Sequence, residues 1–266
     1  MNLADPATLK SLLSKYGLDA KKRLGQHFLI SSKVVESIVD SVGDVQSVVE
    51  IGPGPGVLTS PLATRYPTVV ALEVDSDMMN VLAESAPTAE VRNTDALKTD
   101  LSDVLGGLPA PRAVVSNLPY YITGPLLDRI TSASEKFDRA ILMMQREVGE
   151  KLLAQPGDRD RGALTVRMEA AFDVSRVCLV PKGAFLPPPK VESIVLRLES
   201  RPSSDSEGFF KFVRAGFKQP RKTLANNLRA AGYESPNFDQ LFGLPSDVRP
   251  QVLTLEQWRA LFAHFR

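Results

Sequence analysis

Cysteine, histidine and long apolar runs are what this sequence has little of. The single cysteine among 266 residues, Cys178, excludes an internal disulfide and any metal site built on a cysteine cluster. Two histidines, His27 and His264, exclude a histidine-rich metal centre. No stretch approaches the ~18 uninterrupted apolar residues of a membrane span. The opening Met1-Asn2-Leu3-Ala4-Asp5-Pro6 has neither the basic start nor the apolar core of a secretory signal. A cytoplasmic protein with no membrane and no metal partner is expected. An excess of one charge is also missing: 32 Lys+Arg stand against 31 Asp+Glu, for a net charge of +1. That disfavours a globally basic nucleic-acid coat protein. The balance is uneven along the chain, because residues 201–266 hold ten Lys/Arg against six Asp/Glu. A polyanion would dock there.

With 43% hydrophobic and 24% charged residues, the chain has a globular composition and is not a disordered tail. Short β-branched runs alternate with helical patterns through the first 200 residues, which predicts an α/β domain with a mainly parallel sheet. Strands are expected at 47–51, 68–74, 90–93, 113–116, 140–144, 175–180 and 191–198. Helices are expected after residue 76 and around 125–130. The polar run Arg201-Pro202-Ser203-Ser204-Asp205-Ser206 reads as a linker. Beyond it Phe210, Val213 and Phe217 are spaced as one helical face, with Lys211, Arg214 and Lys218 on another. The expected division is a domain of residues 1–200, whose first 30 residues form a cofactor- and RNA-contacting segment, and a helical domain of residues 203–266.

Glu50-Ile51-Gly52-Pro53-Gly54-Pro55-Gly56 follows an expected strand and opens a helix. Alternate glycines let the backbone turn sharply and approach a ligand closely. The spacing is not the G-x-G-x-x-G of dinucleotide binders, and Glu50 would repel a pyrophosphate. An acidic strand end beside such a turn suits an ammonium or sulfonium ligand. Glu73 ends the next strand, where a carboxylate can accept from ribose hydroxyls, and Asp95 follows the third, within reach of an adenine amine. Together these groups point to S-adenosyl-L-methionine.

Asn117-Leu118-Pro119-Tyr120 leaves the fourth strand at the same sheet edge. The Asn117 side-chain carbonyl and the Leu118 main-chain carbonyl are two acceptors for an aryl amine. Pro119 fixes φ, and Tyr120 offers a face on which a planar base can stack. Held by both N–H groups, an amine would turn its lone pair towards a methyl donor.

These motifs form an ordered series with Lys21-Lys22-Arg23-Leu24-Gly25-Gln26-His27-Phe28-Leu29, with Gln145-Arg146-Glu147-Val148 and Gly162-Ala163-Leu164-Thr165, with Phe185-Leu186-Pro187-Pro188-Pro189-Lys190-Val191-Glu192-Ser193, and with Phe217-Lys218-Gln219-Pro220-Arg221-Lys222-Thr223-Leu224. The series covers most of the chain and resembles the small-subunit rRNA adenine N6-dimethyltransferases, the KsgA family. The resemblance implies a Rossmann-like class I S-adenosylmethionine-dependent methyltransferase domain with a small C-terminal helical domain. It places Gln26 and His27 near the cofactor's methionine end, counts Leu29 among the cofactor contacts, and puts Glu50, Gly52, Gly54 and Gly56 in the cofactor loop. Glu73 would hold the ribose, Asp95 and Ala96 the adenine, and Val74 would be a further cofactor contact. Asn117, Leu118, Pro119 and Tyr120 would hold the target amine, Asn117 facing the cofactor as well. Phe185 would pack on the flipped adenine opposite Tyr120.

The implied reaction is dimethylation of two adjacent adenosines in the 3′-terminal hairpin of small-subunit rRNA. The implied partner is the immature small ribosomal subunit, met by a monomer. RNA contact is expected from Lys21, Lys22, Arg23, Arg214, Lys218, Arg221, Lys222 and Arg229. Two departures stand out: Arg161 replaces a tyrosine common in the family, with an altered surface contact expected, and Pro220 replaces an arginine. Two alternatives stay open. One is a macrolide-resistance type large-subunit rRNA adenine methyltransferase, which usually carries Asn where His27 stands. The other is a catalytically silent assembly or transcription factor of the same fold.

Overall fold

The computed structural model describes residues 1–18, 26–202, 205–219, 221–234, 238–239 and 243–265. The chain divides into two compact units, Met1–Gly149 with Asp173–Ser200, and Glu150–Phe172 with Arg201–Arg266. The described strands are β1 (Phe28–Leu29), β2 (Ser47–Ile51), β3 (Thr68–Glu73), β4 (Glu90–Asn93), β5 (Arg112–Asn117), β6 (Arg139–Gln145), β7 (Phe172–Val180), β8 (Phe185–Leu186) and β9 (Ser193–Ser200).

Seven strands form one sheet in the order β4-β3-β2-β5-β6-β9-β7. The pairs β2–β3, β2–β5, β3–β4 and β5–β6 are parallel, and β9 runs antiparallel to β6. Val48, Val49, Val69, Val70, Val114 and Val115 are all buried, whichever face of the sheet they point to. Both faces are therefore covered, as a parallel sheet flanked by helices requires. On one side Leu9, Leu12 and Leu13 of the helix Pro6–Lys15 and Val35, Ile38 and Val42 of the helix Ser32–Val42 join a core with Val48, Val69, Val115 and Ile141.

The expected strands lie within two residues of the observed ends, except that the strand expected at 175–180 begins three residues earlier, at Phe172. Two short strands have no counterpart among the expected ones. β1 and β8 pair antiparallel, Phe28 opposite Leu186 and Leu29 opposite Phe185. Two residues carry no period, so only the long-range pairing defines them.

The second unit has an aromatic core. Phe209, Phe212 and Val213 of the helix Glu207–Gly216 pack with Leu224, Leu228, Trp258 and Leu261. The helix is capped by Ser206, which accepts from the Phe209 amide, and the helix Leu255–His264 begins with a Thr254/Gln257 capping box. The expected stripe of Phe210, Val213 and Phe217 is offset by one residue: Phe210 and Phe217 are only partly buried. With Phe209 and Phe210 adjacent, local spacing fits either register, and the fold buries Phe209 and Phe212 while Phe217 stacks on Trp258 from a partly buried position.

Against the expected division at residues 1–200 and 203–266, Glu150–Phe172 groups with the C-terminal unit. The reason is the helix Ala163–Ala171, whose Val166 and Ala170 join the aromatic core. No polar linker marks that crossing in the sequence. Arg161, expected at the surface, is only 4% exposed. Its guanidinium donates to the Ala154 carbonyl and to Glu169. Pro220, Lys21, Lys22 and Arg23 lie outside the described residues.

Gly216 lets the indole of the only tryptophan approach the helix: an added Cβ would lie 2.4 Å from Trp258 Cη2. Gly216→Ala is expected to destabilise this unit by about 1–3 kcal/mol through overpacking. Denaturant unfolding followed by Trp258 fluorescence checks this, and an unchanged midpoint would contradict it.

Candidate active site

Strand order reverses at β2, which has β3 on one side and β5 on the other. In such sheets a crevice opens outside the carboxyl ends of the strands. Here it is lined by Gln26–Leu29, Glu50–Pro55, Glu73, Val74, Thr94–Leu97 and Asn117–Ile122, and encloses about 110 Å³. The parallel register puts Ile51 beside Leu72 and Ser116, so the ends of β2, β3 and β5 arrive together. A 2.7 Å bond from Ser116 Oγ to the Ile51 carbonyl ties the exits of β2 and β5.

The turn after β2 runs through Gly52, Gly54 and Gly56 at φ of 69°, 55° and 92°. At Gly52 an added Cβ would meet nothing within 4 Å, so the glycine is there for the left-handed turn and leaves the approach to the crevice open. Gly56 does not line the crevice. A Cβ there would lie 2.4 Å from Ser85 Oγ, which makes it a packing glycine.

Three acids sit buried at this edge: Glu50, Glu73 and Asp75. Glu73 is oriented by two main-chain amides, Gly54 N to Oε2 at 2.9 Å and Asp75 N to Oε1 at 2.8 Å. Burial raises its pKa, and those amides oppose the rise. Asp75, which no sequence motif singles out, accepts from Gln26 Nε2 at 3.2 Å. Its only local signal is its place two residues after Glu73. Glu50 is 1% exposed, and its Oε2 has no hydrogen-bond partner among the described residues. Burial pushes its pKa up to about 8, helped by the charge of Glu73 and opposed in part by the Thr59 hydroxyl. Asp95 Oδ1 accepts from the Leu97 amide, which fixes the start of the Thr94–Leu97 rim. Val74 is 56% exposed and presents an apolar edge there.

Asn117 Nδ2 donates to the His27 carbonyl at 3.2 Å, and Oδ1 is left as an acceptor with no partner among the described residues. The Pro119 carbonyl is taken by the Ile122 amide, while the Leu118 carbonyl is unengaged among the described residues. Tyr120 stacks on the His27 ring at 5.6 Å and 28°, and its hydroxyl lies 2.6 Å from Ser193 Oγ. His27 Nδ1 faces the Pro187 carbonyl at 2.8 Å and therefore carries the proton in that contact.

The structure thus brings Gln26, His27, Leu29, Glu50, Gly52, Gly54, Glu73, Val74, Asp95, Ala96 and Asn117 to Tyr120 around one crevice. Phe185 is not among them. It is 2% exposed and sits in the core of the first unit, paired with Leu29 across β1 and β8. So placed, Phe185 presents no face to the crevice in this structure, which differs from the stacking position expected of it. In the second unit Lys218, Arg221, Lys222 and Arg229 are exposed, and Arg214 is paired with Glu207 at 2.5 Å. Among the described residues no group of three or more His, Cys, Asp or Glu is placed to hold a metal ion, and no helix is long and apolar enough to cross a membrane.

Residues 17–261 match the family described as ribosomal RNA adenine dimethylase. A ribosomal RNA small subunit methyltransferase A of Bacillus mycoides (strain KBAB4) is 37% identical over 280 aligned positions, covering 98% of this chain and 96% of that protein. The protein of the same name from Bacillus cereus (strain B4264) matches to the same extent. Among solved structures, a dimethyladenosine transferase from Plasmodium falciparum superposes with a TM-score of 0.74 at 26% identity, covering 90% of this chain and 97% of that one. The 23S rRNA methyltransferase ErmE gives 0.68 at 27% identity, with 90% and 99% covered.

A carboxyl with a folded pKa of about 8 and an ordinary value of 4.5 binds more protons folded than unfolded between those limits. Stability conferred at low pH is therefore lost as pH rises through that window, with a slope approaching about 1.4 kcal/mol per pH unit. Glu50→Gln is expected to remove this share of the pH dependence and to be the more stable protein at pH 8. Unfolding curves of both proteins from pH 5 to 8 measure it, and parallel pH profiles would reject the assignment.

Proposed function

The chain belongs to the ribosomal RNA adenine dimethylase family, and on that footing we infer how its residues divide the work. It is a methyltransferase that uses S-adenosylmethionine to dimethylate adenine in small-subunit rRNA. The observation that carries the division of roles is the Asn117 amide, pinned by the His27 carbonyl with Oδ1 free, in the same crevice as the glycine turn.

The crevice suits the cofactor on its own chemistry. The buried Glu50 carboxyl has one oxygen, Oε2, with no hydrogen-bond partner among the described residues, and a sulfonium or ammonium group would favour its charged form. Glu73, already oriented by two amides, keeps lone pairs for ribose hydroxyls. Gly52 leaves space for close main-chain approach, and Val74, Asp95 and Ala96 form the rim for the adenine. When bound, S-adenosylmethionine supplies a methyl group on a positively charged sulfur.

The target adenine stacks on Tyr120, a contact worth about 1–3 kcal/mol. Asn117 Oδ1 and the Leu118 carbonyl accept the two N–H bonds of its amine and aim the nitrogen lone pair. No general base is required, because alkylation makes the amine acidic and a carbonyl acceptor or water can take the proton. Alignment is the main source of rate. With Phe185 in the core, the second face of the base is left to another group.

The small-subunit relatives at 37% identity favour that substrate over the large-subunit alternative, and His27 agrees with them. The intact Asn117–Tyr120 turn and Glu73 favour an active enzyme over a silent assembly factor. The immature small subunit is the proposed partner, with Lys218, Arg221, Lys222 and Arg229 as phosphate contacts. Arg214 would first have to leave Glu207.

Asn117→Ala is expected to abolish methyl transfer to unmethylated small subunits while cofactor affinity stays within a few fold. Mass mapping of methyl groups and equilibrium binding read the two effects, and near-normal dimethylation would overturn the role. The double variant Arg221→Ala/Lys222→Ala should flatten the slope of log affinity against log salt by about 1 for each phosphate that is no longer neutralised. An unchanged slope would remove these residues from the RNA interface.

A further inference from the structure

Ser193 has no part in the chemistry above, yet its hydroxyl meets the side chain on which that chemistry leans. It is fully buried, the first residue of β9, and lies opposite Gln145 of β6 in the antiparallel pairing. Its backbone is therefore locked by the sheet, and its Oγ reaches Tyr120 Oη at 2.6 Å, across 73 positions of sequence.

Tyr120 itself opens a single 3-10 turn, Tyr120–Ile122, at the crevice rim, where the backbone alone fixes neither ring torsion. Two contacts do so. The His27 ring covers one face, and His27 is in turn held at Nδ1 by the Pro187 carbonyl and at its own carbonyl by Asn117. Ser193 holds the far end of the ring. Burial keeps the phenol neutral, so this is a bond between two uncharged hydroxyls. The stack on His27 leaves only the opposite ring face for a planar guest. Without the Ser193 bond the ring can swing about its Cα–Cβ bond, and the plane offered to the guest swings with it.

We propose that Ser193 is a positioning residue for the target base, its hydroxyl fixing the Tyr120 ring in the plane on which the adenine must stack. The inference rests on the reading of Tyr120 as the stacking face. A misplaced base stays bound but presents its amine at the wrong angle, so the loss belongs in turnover.

The test uses the full chain with S-adenosylmethionine and unmethylated small subunits. Ser193→Ala should lower kcat about three- to tenfold, the range of one neutral hydrogen bond, with KM and cofactor Kd within about twofold. Ser193→Thr, which keeps the hydroxyl, should recover most of the rate. Tyr120→Phe keeps the stacking ring and removes only the bond, so it should show the same loss as Ser193→Ala, and the double variant should lose no more than either alone. Wild-type rates in Tyr120→Phe, or losses that multiply in the double variant, would overturn the proposal even if Ser193→Ala folds poorly. A wild-type chain that transfers no methyl group would instead remove the functional reading on which the proposal stands.

Discussion

Strand β2 pairs in parallel with β3 on one side and β5 on the other, and the whole site depends on that double pairing. Because chain order reverses there, the helices that follow β2 and β5 diverge and leave the crevice between the strand ends. The register then delivers specific groups to it: the Gly52–Gly56 turn from β2, Glu73 from β3, Asn117 from β5. A one-residue slip would exchange faces and turn Glu73 or Asn117 away. The near-continuous burial of β2 and β3 makes such a slip costly.

The second constraint is electrostatic. Glu50, Glu73 and Asp75 are buried at one sheet edge, where desolvation and the neighbouring carboxylates oppose the charged forms of Glu50 and Glu73. Two amides partly stabilise Glu73, and Gln26 donates to Asp75, but Glu50 keeps an unpartnered oxygen. Such an arrangement lowers stability in the free protein and favours a positively charged guest. Binding sites commonly carry local strain of this kind, which the surrounding fold offsets.

The third is mechanical. Tyr120 is held at its ring face and at its hydroxyl by residues from the N-terminal segment and from β9, so distant parts of the chain converge on one aromatic plane. The short pairing of β1 with β8 belongs to the same convergence. It places Leu29 at the crevice and draws Phe185 into the core.

The α/β class, the strands at 47–51 and 90–93, and the acids and glycines at the strand ends were all legible in the amino-acid order. These are local signals: β-branched runs, turn glycines and a carboxylate beside them depend only on neighbours in the chain. The place of the Asn117–Tyr120 turn at the crevice was legible too, since it is four adjacent residues at the end of one expected strand. The rest was settled by long-range packing. Phe185 and Phe210 each sit beside apolar neighbours that local spacing cannot rank, and the fold sent one into the core and left the other partly exposed. Arg161 reads as a surface charge until Glu169 and the Ala154 carbonyl enclose it. Glu150–Phe172 joins the aromatic unit through Val166 and Ala170, and its one polar break, at 155–160, lies inside the segment and not at either boundary. Ser193 and Asp75 acquire meaning from contacts 73 and 49 positions away. A side chain's chemistry is written in its own residue, but its partner is chosen by the fold.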